Sequence, residues 1–413
     1  MMTERLLYIS SQCPYPATDG GKISLYYSVT NLSKYFRIYL FFPAKKGKAE
    51  EAKEHFRSLG INVYHIDKQT IGKWIDLKFL LLNIGDPLPF KWRKYYSKEA
   101  LLYINKLVFD HNIRLIFVNF PHMMSYAAGI KRIKPDAIVF FREHNIEYTL
   151  VEQFGKLTRN PIMKKIAEWQ LKKSKAKEVD YWRIANRIFY MSDYDYKIAT
   201  SLAPEIKDKS KVLYEGFNMK FSNVESVNNS DFIYTANLRI IQNDLSFNWF
   251  IEKIWLPNLR FFKKLNVHIN ITGNDTEFVK SKLRRLGSLE TLNIRNIGFV
   301  QDIDKEIRKY KYVLSPTVIG SGIRLKVLNG MACGKPVFAT PLDLKTSNVF
   351  TDMENIVCFE DAKSFVDKFQ LLETEPTIYR NICQNALNTI RKYFSWEKYA
   401  ETIHNEFTSL LRV

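Results

Sequence analysis

Cysteine is scarce in this chain: four residues in 413, Cys13, Cys333, Cys358 and Cys383, stand without metal or redox spacing. That pattern fits reduced thiols in a cytosolic protein better than a disulfide framework. Long apolar runs are also missing, since no stretch approaches the ~20 apolar residues that cross a bilayer. The opening Met1-Met-Thr-Glu-Arg-Leu-Leu-Tyr-Ile-Ser10 goes straight into strand-like sequence, without the charged start and long apolar core of a secretion signal. The expectation is a cytoplasmic protein, or one held peripherally on the inner face of the cell membrane. Low-complexity tracts, short-period repeats and heptad runs are absent as well, which excludes fibrous and solenoid classes.

Acidic residues are the minority charge. Lys and Arg number 62 against 43 Asp and Glu, for a net charge of +19. The basic residues crowd between Lys156 and Arg187, including Lys164, Lys165, Lys172, Lys173, Lys175, Lys177 and Arg183, with only Glu168, Glu178 and Asp180 offsetting them. Such a run is either a solvated helix face or a surface for anionic lipid headgroups or nucleic acid. No helix-turn-helix, zinc or RNA-binding motif accompanies the charge, so nucleic acid is not an expected partner. A second mixed segment, Lys73 to Tyr96, combines Trp74, Phe79 and Leu80–Leu82 with Lys78, Lys91, Arg93 and Lys94. It reads as a membrane-interface surface or as a helix packed on a sheet.

What remains is ample material for packed cores: 46% hydrophobic and 14% aromatic residues over a length that exceeds one core. Strand-like apolar runs fall at Leu6–Ser10, Arg37–Pro43, Asn62–Ile66, Leu115–Phe120, Ala137–Arg142 and Arg187–Ser192. A second set follows at Asp231–Ala236, Asn266–Thr272, Thr291–Gly298, Tyr312–Thr317, Pro336–Thr340 and Ile356–Phe359. Nearly continuous apolar strands alternating with longer mixed segments imply α/β architecture, two parallel sheets with helices on both faces. The seam is expected in the polar stretch Ala203–Lys211, giving domains 1–207 and 208–390 and a final segment 391–413.

The most informative stretch runs from Ser315 to Thr340. A buried strand leads into a glycine loop (Gly320, Ser321, Gly322), a helix from about Arg324 to Ala332, and another strand. A glycine loop opening a helix presents unpaired N–H groups and the positive end of the helix dipole, a place for an anion. Arg324 and Lys326 stand there against the dipole rule, which points to a ligand with more than one negative charge, a diphosphate.

This stretch resembles the donor-binding segment of GT-B glycosyltransferases, especially the retaining family 4 enzymes. Leu328-Asn329-Gly330-Met331-Ala332-Cys333-Gly334-Lys335-Pro336-Val337 is similar to that family's Leu-Glu-Ala-Met-Ala-x-Gly-x-Pro-Val helix and strand. Two departures stand out. The ribose-binding Glu of the family is Asn329, and the upstream Glu of its Glu-x7-Glu pair falls at Ser321. Asn accepts one hydrogen bond and donates another, where Glu accepts charge-assisted bonds from both ribose hydroxyls.

The resemblance implies two Rossmann-like domains facing across a cleft, with the last helix, after Phe394-Ser395-Trp396, crossing back to the N-terminal domain. It implies a nucleotide-sugar donor, a glycan or lipid-linked acceptor, retention at the anomeric carbon and no metal. The first domain would take the acceptor and the second the nucleotide-sugar. Arg324 and Lys326 would carry the phosphate charge.

Four further constellations join it. Gly20-Gly21, in Pro14-Tyr-Pro-Ala-Thr-Asp-Gly-Gly-Lys22, opens a helix after the first strand and resembles the family's Pro-x-Pro…Gly-Gly turn beside the donor. Phe140-Phe-Arg-Glu-His-Asn-Ile-Glu147 sets Arg142, Glu143, His144, Asn145 and Glu147 at a strand exit and resembles the His-Asn-x-Glu signature, in which the His lines the sugar pocket. Arg142, Glu147 and the weaker His122 are then acceptor-side candidates. In Tyr234-Thr-Ala-Asn-Leu238, Asn237 either bonds the donor or caps the turn, and Gly298 resembles the Gly-Phe-Val element bordering the base. The rivals are a non-catalytic sugar-nucleotide-binding protein and a GT-B nucleotide-sugar epimerase.

Overall fold

The computed structural model describes residues 4–18, 20–44, 46–67, 85–158, 160–217 and 227–411. It divides into two compact units: Met1–Gly216 together with Trp396–Val413, and Phe217–Ser395. The first part of the Lys73–Tyr96 segment, through residue 84, lies outside the described residues.

Unit 1 is built on a seven-stranded sheet in the order β3-β2-β1-β4-β5-β6-β7, all pairs parallel. The strands are β1 Arg5–Ile9, β2 Arg37–Ala44, β3 Asn62–Asp67, β4 Leu115–Asn119, β5 Ile138–Glu143, β6 Arg187–Tyr190 and β7 Ser210–Val212. β4 and β5 are buried at every position, as a sheet covered on both faces requires. Sequence order reverses between β1 and β4. That is the switch point whose carboxyl edge receives ligands in such sheets.

β7 begins inside the stretch read as the seam. Ser210 pairs with Ile188 and Val212 with Tyr190, so the first sheet continues through it and unit 1 runs to Gly216, nine residues beyond the expected boundary at 207. Three residues are too short a run to signal a strand in sequence; only pairing with β6 makes them one.

The final helix, Trp396–Leu411, belongs to unit 1. Phe407 stacks on Phe140 of β5, with ring centroids 3.6 Å apart. Trp396 is buried and fills the space beside Gly216, where a Cβ would overlap its indole. Glu406 pairs with Arg187 and Lys211, tying this helix to the starts of β6 and β7.

Unit 2 carries six parallel strands in the order β10-β9-β8-β11-β12-β13. They are β8 Phe232–Thr235, β9 Ile269–Thr272, β10 Ile294–Gly298, β11 Tyr312–Ser315, β12 Val337–Ala339 and β13 Val357–Cys358. The switch point lies between β8 and β11. The helix Leu325–Ala332 packs closely on β11 and β12 because residue 330 is glycine: a Cβ there would stand 2.6 Å from Val337 and 3.0 Å from Val313. Contact that tight holds the helix start, and whatever it binds, in fixed relation to the strand ends.

Candidate functional site

In unit 2 the loop between β11 and the helix Leu325–Ala332 takes backbone conformations that favour glycine, with φ of 140° at Gly320 and 73° at Gly322. A Cβ on Gly320 would overlap the Arg324 guanidinium. Arg324 is the residue before the first helical turn rather than part of it. Its Nη1 donates to the Ser321 carbonyl, and its Nε lies 3.7 Å from Asp343 Oδ1. Ser321 is buried. Asp343 is buried too, and accepts from Ser315 Oγ at 2.6 Å. Burial raises its pKa, and the neighbouring Arg324 works against that rise.

Lys326 sits in the first turn. Its ammonium lies 4.6 Å from the centroid of the Tyr234 ring at the end of β8, and Nζ donates to Asn243 Oδ1 at 3.3 Å and to the Tyr234 hydroxyl at 3.5 Å. Burial, with Arg324 adding to it and Asp343 opposing it, lowers this ammonium from its ordinary value to about 8. A cation that has lost this much hydration gains from an anion placed beside it. Asn329 is half-buried on the same helix, one turn on from Lys326 and so on the same face.

Asn237 caps its turn. Its Oδ1 accepts the Arg239 N–H at 2.9 Å, and its carbonyl accepts from Asn243 Nδ2 at 3.0 Å. Of the two roles expected for it, the capping one is therefore present in the structure. Beneath it the buried Asn274 ties the ends of β8 and β9, donating to the carbonyls of Ala236 and Thr272 and accepting from Leu238 N–H. Gly298 ends β10 with φ of 78°, its carbonyl accepting from Gly273 N–H, and the following Phe299 is 84% exposed.

In unit 1 the helix Gly20–Leu32 begins at the glycine pair, beyond the carboxyl end of β1. His144 follows β5 directly. Its ring stacks on Phe120 with centroids 4.1 Å apart, and Nδ1 lies 3.6 Å from Glu215 Oε1. Burial above all, then the charges of Arg142 and His122, lowers its pKa well below the usual imidazole value. At neutral pH it is an uncharged ring.

The three acceptor-side candidates are all buried, which corrects the expectation that they line an open site. Arg142 has no exposed surface. Its guanidinium donates to Ser24 Oγ at 2.8 Å, to Asn119 Oδ1 at 3.3 Å and to Glu215, and it lies 5.0 Å from the Tyr399 ring. It anchors four parts of unit 1 from inside, and no acceptor reaches it. The period-2 alternation of β5 turns it to the sheet face covered by the helices Gly20–Leu32 and Trp396–Leu411. Glu147 is also buried; it accepts from Lys91 Nζ at 2.7 Å at the start of the helix Glu147–Leu157. His122 is buried against Tyr95 and Phe120, with ring centroids 4.2 and 5.3 Å away.

The sequence holds two Asp-x-Asp pairs, Asp193/Asp195 and Asp302/Asp304, and both stand at helix starts. Asp195 is bonded to Ser192, Asp193 accepts from Tyr214, and Asp302 caps its helix by accepting from Lys305 N–H. Among the described residues no group of three His, Cys, Asp or Glu is placed to hold a metal ion.

Sequence reasoning missed Asp343 and Glu215. Asp343 follows the strand Pro336–Thr340 by three residues, at a carboxyl edge, and that position was its only signal. Glu215 lies in the connection after β7, where nothing in the sequence sets it apart. Its place becomes visible only when Arg142 and Ser24 converge on it, the latter donating at 2.6 Å.

The sheet orders and the loop-to-helix geometry define a class, the GT-B fold with a donor-type loop in its second unit. Residues 229–374 match the family model described as "Glycosyl transferases group 1". The fold of the whole chain is therefore that of GT-B proteins, and the glycosyl transferase group 1 match is confined to its second unit. No curated protein matches it in sequence.

Solved structures resemble it over nearly the whole length at low identity. Sucrose-phosphate synthase from Thermosynechococcus elongatus aligns with a TM-score of 0.70 and 12% identity, covering 99% of each chain. A glycosyltransferase from Rickettsia africae gives 0.66 and 12%, covering 100% of this chain and 99% of the other. Anabaena HepE in complex with UDP gives 0.65 and 14%, covering 98% and 100%.

Proposed function

We propose that this chain transfers a sugar from a nucleotide-sugar donor to a glycan or lipid-linked acceptor, without a metal and with retention at the anomeric carbon, in the assembly of surface polysaccharide or glycoconjugate. The observation that carries the donor assignment is the pair Arg324 and Lys326 at the start of the helix Leu325–Ala332. Lys326 is buried enough to be shifted to about 8, and Arg324 is held by Ser321 and Asp343. Departure of a nucleoside diphosphate requires positive charge where negative charge develops. Two cations and a helix start supply it. A neighbour of the same fold, HepE, is described in complex with UDP-glucose, which supports a donor of this kind.

Retention follows from the resemblance to family 4, with the leaving phosphate helping to deprotonate the acceptor hydroxyl. His144 is assigned contact with the transferring sugar. As a neutral ring it offers a donor and an acceptor at once, which suits hydroxyl groups. Asn329, in the place of a ribose-binding Glu, reads the ribose through one accepted and one donated bond.

Lys326→Ala tests the assignment. Donor turnover should fall by roughly 2–5 kcal/mol of transition-state binding. In the parent, kcat/KM for the donor should decline as pH rises through about 8, because the free ammonium there loses its proton. A folded Lys326→Ala variant that turns over donor at the parent rate would refute the role.

A further inference from the structure

The helices Glu147–Leu157 and Pro161–Ile184 form an antiparallel hairpin in unit 1. Glu178 fixes its base: its carboxylate accepts the N–H groups of Glu147 and Tyr148, at 2.6 and 3.0 Å, four residues beyond the end of β5. Higher up, Gly155 lies against Ala167, where a Cβ on the glycine would stand 3.3 Å from that of the alanine. At 1.5 Å per residue, Pro161 is then about 25 Å along the helix from Glu178. The buried residues of the long helix are Ala167, Ser174, Glu178, Tyr181 and Trp182. Residues 161–165 are exposed all the way round the first turn. Among the described residues, the hairpin is an arm whose far end is left exposed.

That end carries apolar side chains where solubility calls for polar ones. Ile162 is 69% exposed, Leu157 45% and Met163 41%. Lys156, Lys164 and Lys165 are exposed around them, and Lys172 and Lys175 continue the basic face down the arm. Glu152, paired with Lys156 at 2.9 Å, and Glu168 are the nearby carboxylates. Apolar residues at the apex with a collar of lysines match the profile of a bilayer surface, where acyl chains lie beneath anionic headgroups. The lysines would oppose pairing with a second copy of the same tip, since like charges would meet.

We propose that this hairpin tip is a membrane-docking element: Leu157, Ile162 and Met163 enter the headgroup–acyl boundary of an anionic bilayer while Lys156, Lys164, Lys165 and Lys172 contact the lipid phosphates. It deepens the reading of a peripheral membrane protein and does not depend on the sugar chemistry. Attachment through one apex and a few charges is reversible, and salt weakens it.

The test uses the full chain with vesicles of phosphatidylcholine containing one third phosphatidylglycerol, and with pure phosphatidylcholine. The parent should sediment with the anionic vesicles at low salt and release at high salt. Ile162→Ser/Met163→Ser should lower the partition coefficient about tenfold or more. Lys164→Glu/Lys165→Glu should lower it at least as far, at roughly fivefold per lysine lost. Both changes are at exposed positions, and circular dichroism should show the parent fold. If the parent binds and both variants bind equally well, the tip is not the docking element although the protein is peripheral. If the parent ignores anionic vesicles, both readings fail. If the parent is a dimer that Ile162→Ser/Met163→Ser makes monomeric, the tip covers a second copy and the proposal is overturned. Donor hydrolysis without lipid should be unchanged in these variants, and its complete absence in the parent would count against the transferase reading alone.

Discussion

At the residue scale the chemistry turns on how burial sets charge. Lys326 and His144 are both shifted toward their neutral forms by lost hydration, yet they end on opposite sides of neutrality. The lysine remains a cation at pH 7 and can meet a diphosphate. The imidazole is uncharged and can only hydrogen-bond. His144→Ala should therefore leave nucleoside diphosphate affinity nearly intact while cutting sugar transfer, a separation seen as parent-like binding by calorimetry and reduced kcat. In the parent no activity limb from His144 should appear around the ordinary imidazole pKa, because burial holds its protonation well below that value. Equal losses of nucleotide affinity and transfer would remove His144 from the sugar-contacting role. Of the residues misassigned from sequence, Arg142 and Glu147 are polar groups at a strand exit that face inward. Composition showed that a polar cluster exists there, whereas orientation depended on Ser24, Asn119, Glu178 and Glu215, all distant in sequence.

At the scale of elements, strands were the most legible feature. Twelve of the runs picked from apolar pattern correspond to β1–β6 and β8–β13, because a strand buried on both faces must be apolar at nearly every position. The short β7 was not legible. The loop Gly320–Gly322 and the helix after it were readable from glycine spacing and charge, but the start of the helix was placed one residue early. Arg324 is extended and folds back onto Ser321, giving the loop a side-chain brace that glycine spacing does not reveal.

Two substitutions separate packing from ligand binding here. Gly330→Ala pushes a methyl into Val313 and Val337 and should destabilise the protein by about 1–3 kcal/mol, visible as a lower Tm. Gly320→Ala strains the loop backbone at φ of 140° and displaces Arg324, so donor turnover should fall while Tm changes less than for Gly330→Ala. The reverse ranking would mean that residue 320 supports the fold and not the ligand.

At the scale of the molecule, each unit has its own sheet, core and switch point, and in each the residues singled out for function gather at the carboxyl edge. The connection Leu213–Phe217 and the return at Ser395–Trp396 are where the chain passes from one unit to the other. The final helix belongs to unit 1 through Phe407, Tyr399 and Trp396, as the family resemblance implied. Among the described residues no helix is long and apolar enough to cross a membrane.

The central claim is that unit 2 binds the diphosphate of a sugar donor through cationic side chains and that the whole chain turns that donor over. Hydrolysis of a panel of common nucleotide-sugars by the full chain, with and without EDTA, tests it most directly. The account predicts release of nucleoside diphosphate from at least one donor, unchanged by EDTA and by added magnesium or manganese, and lost in Lys326→Ala. Activity that vanishes with EDTA and returns with a divalent metal would contradict the metal-independent mechanism, and no turnover of any donor by the parent would contradict the claim itself.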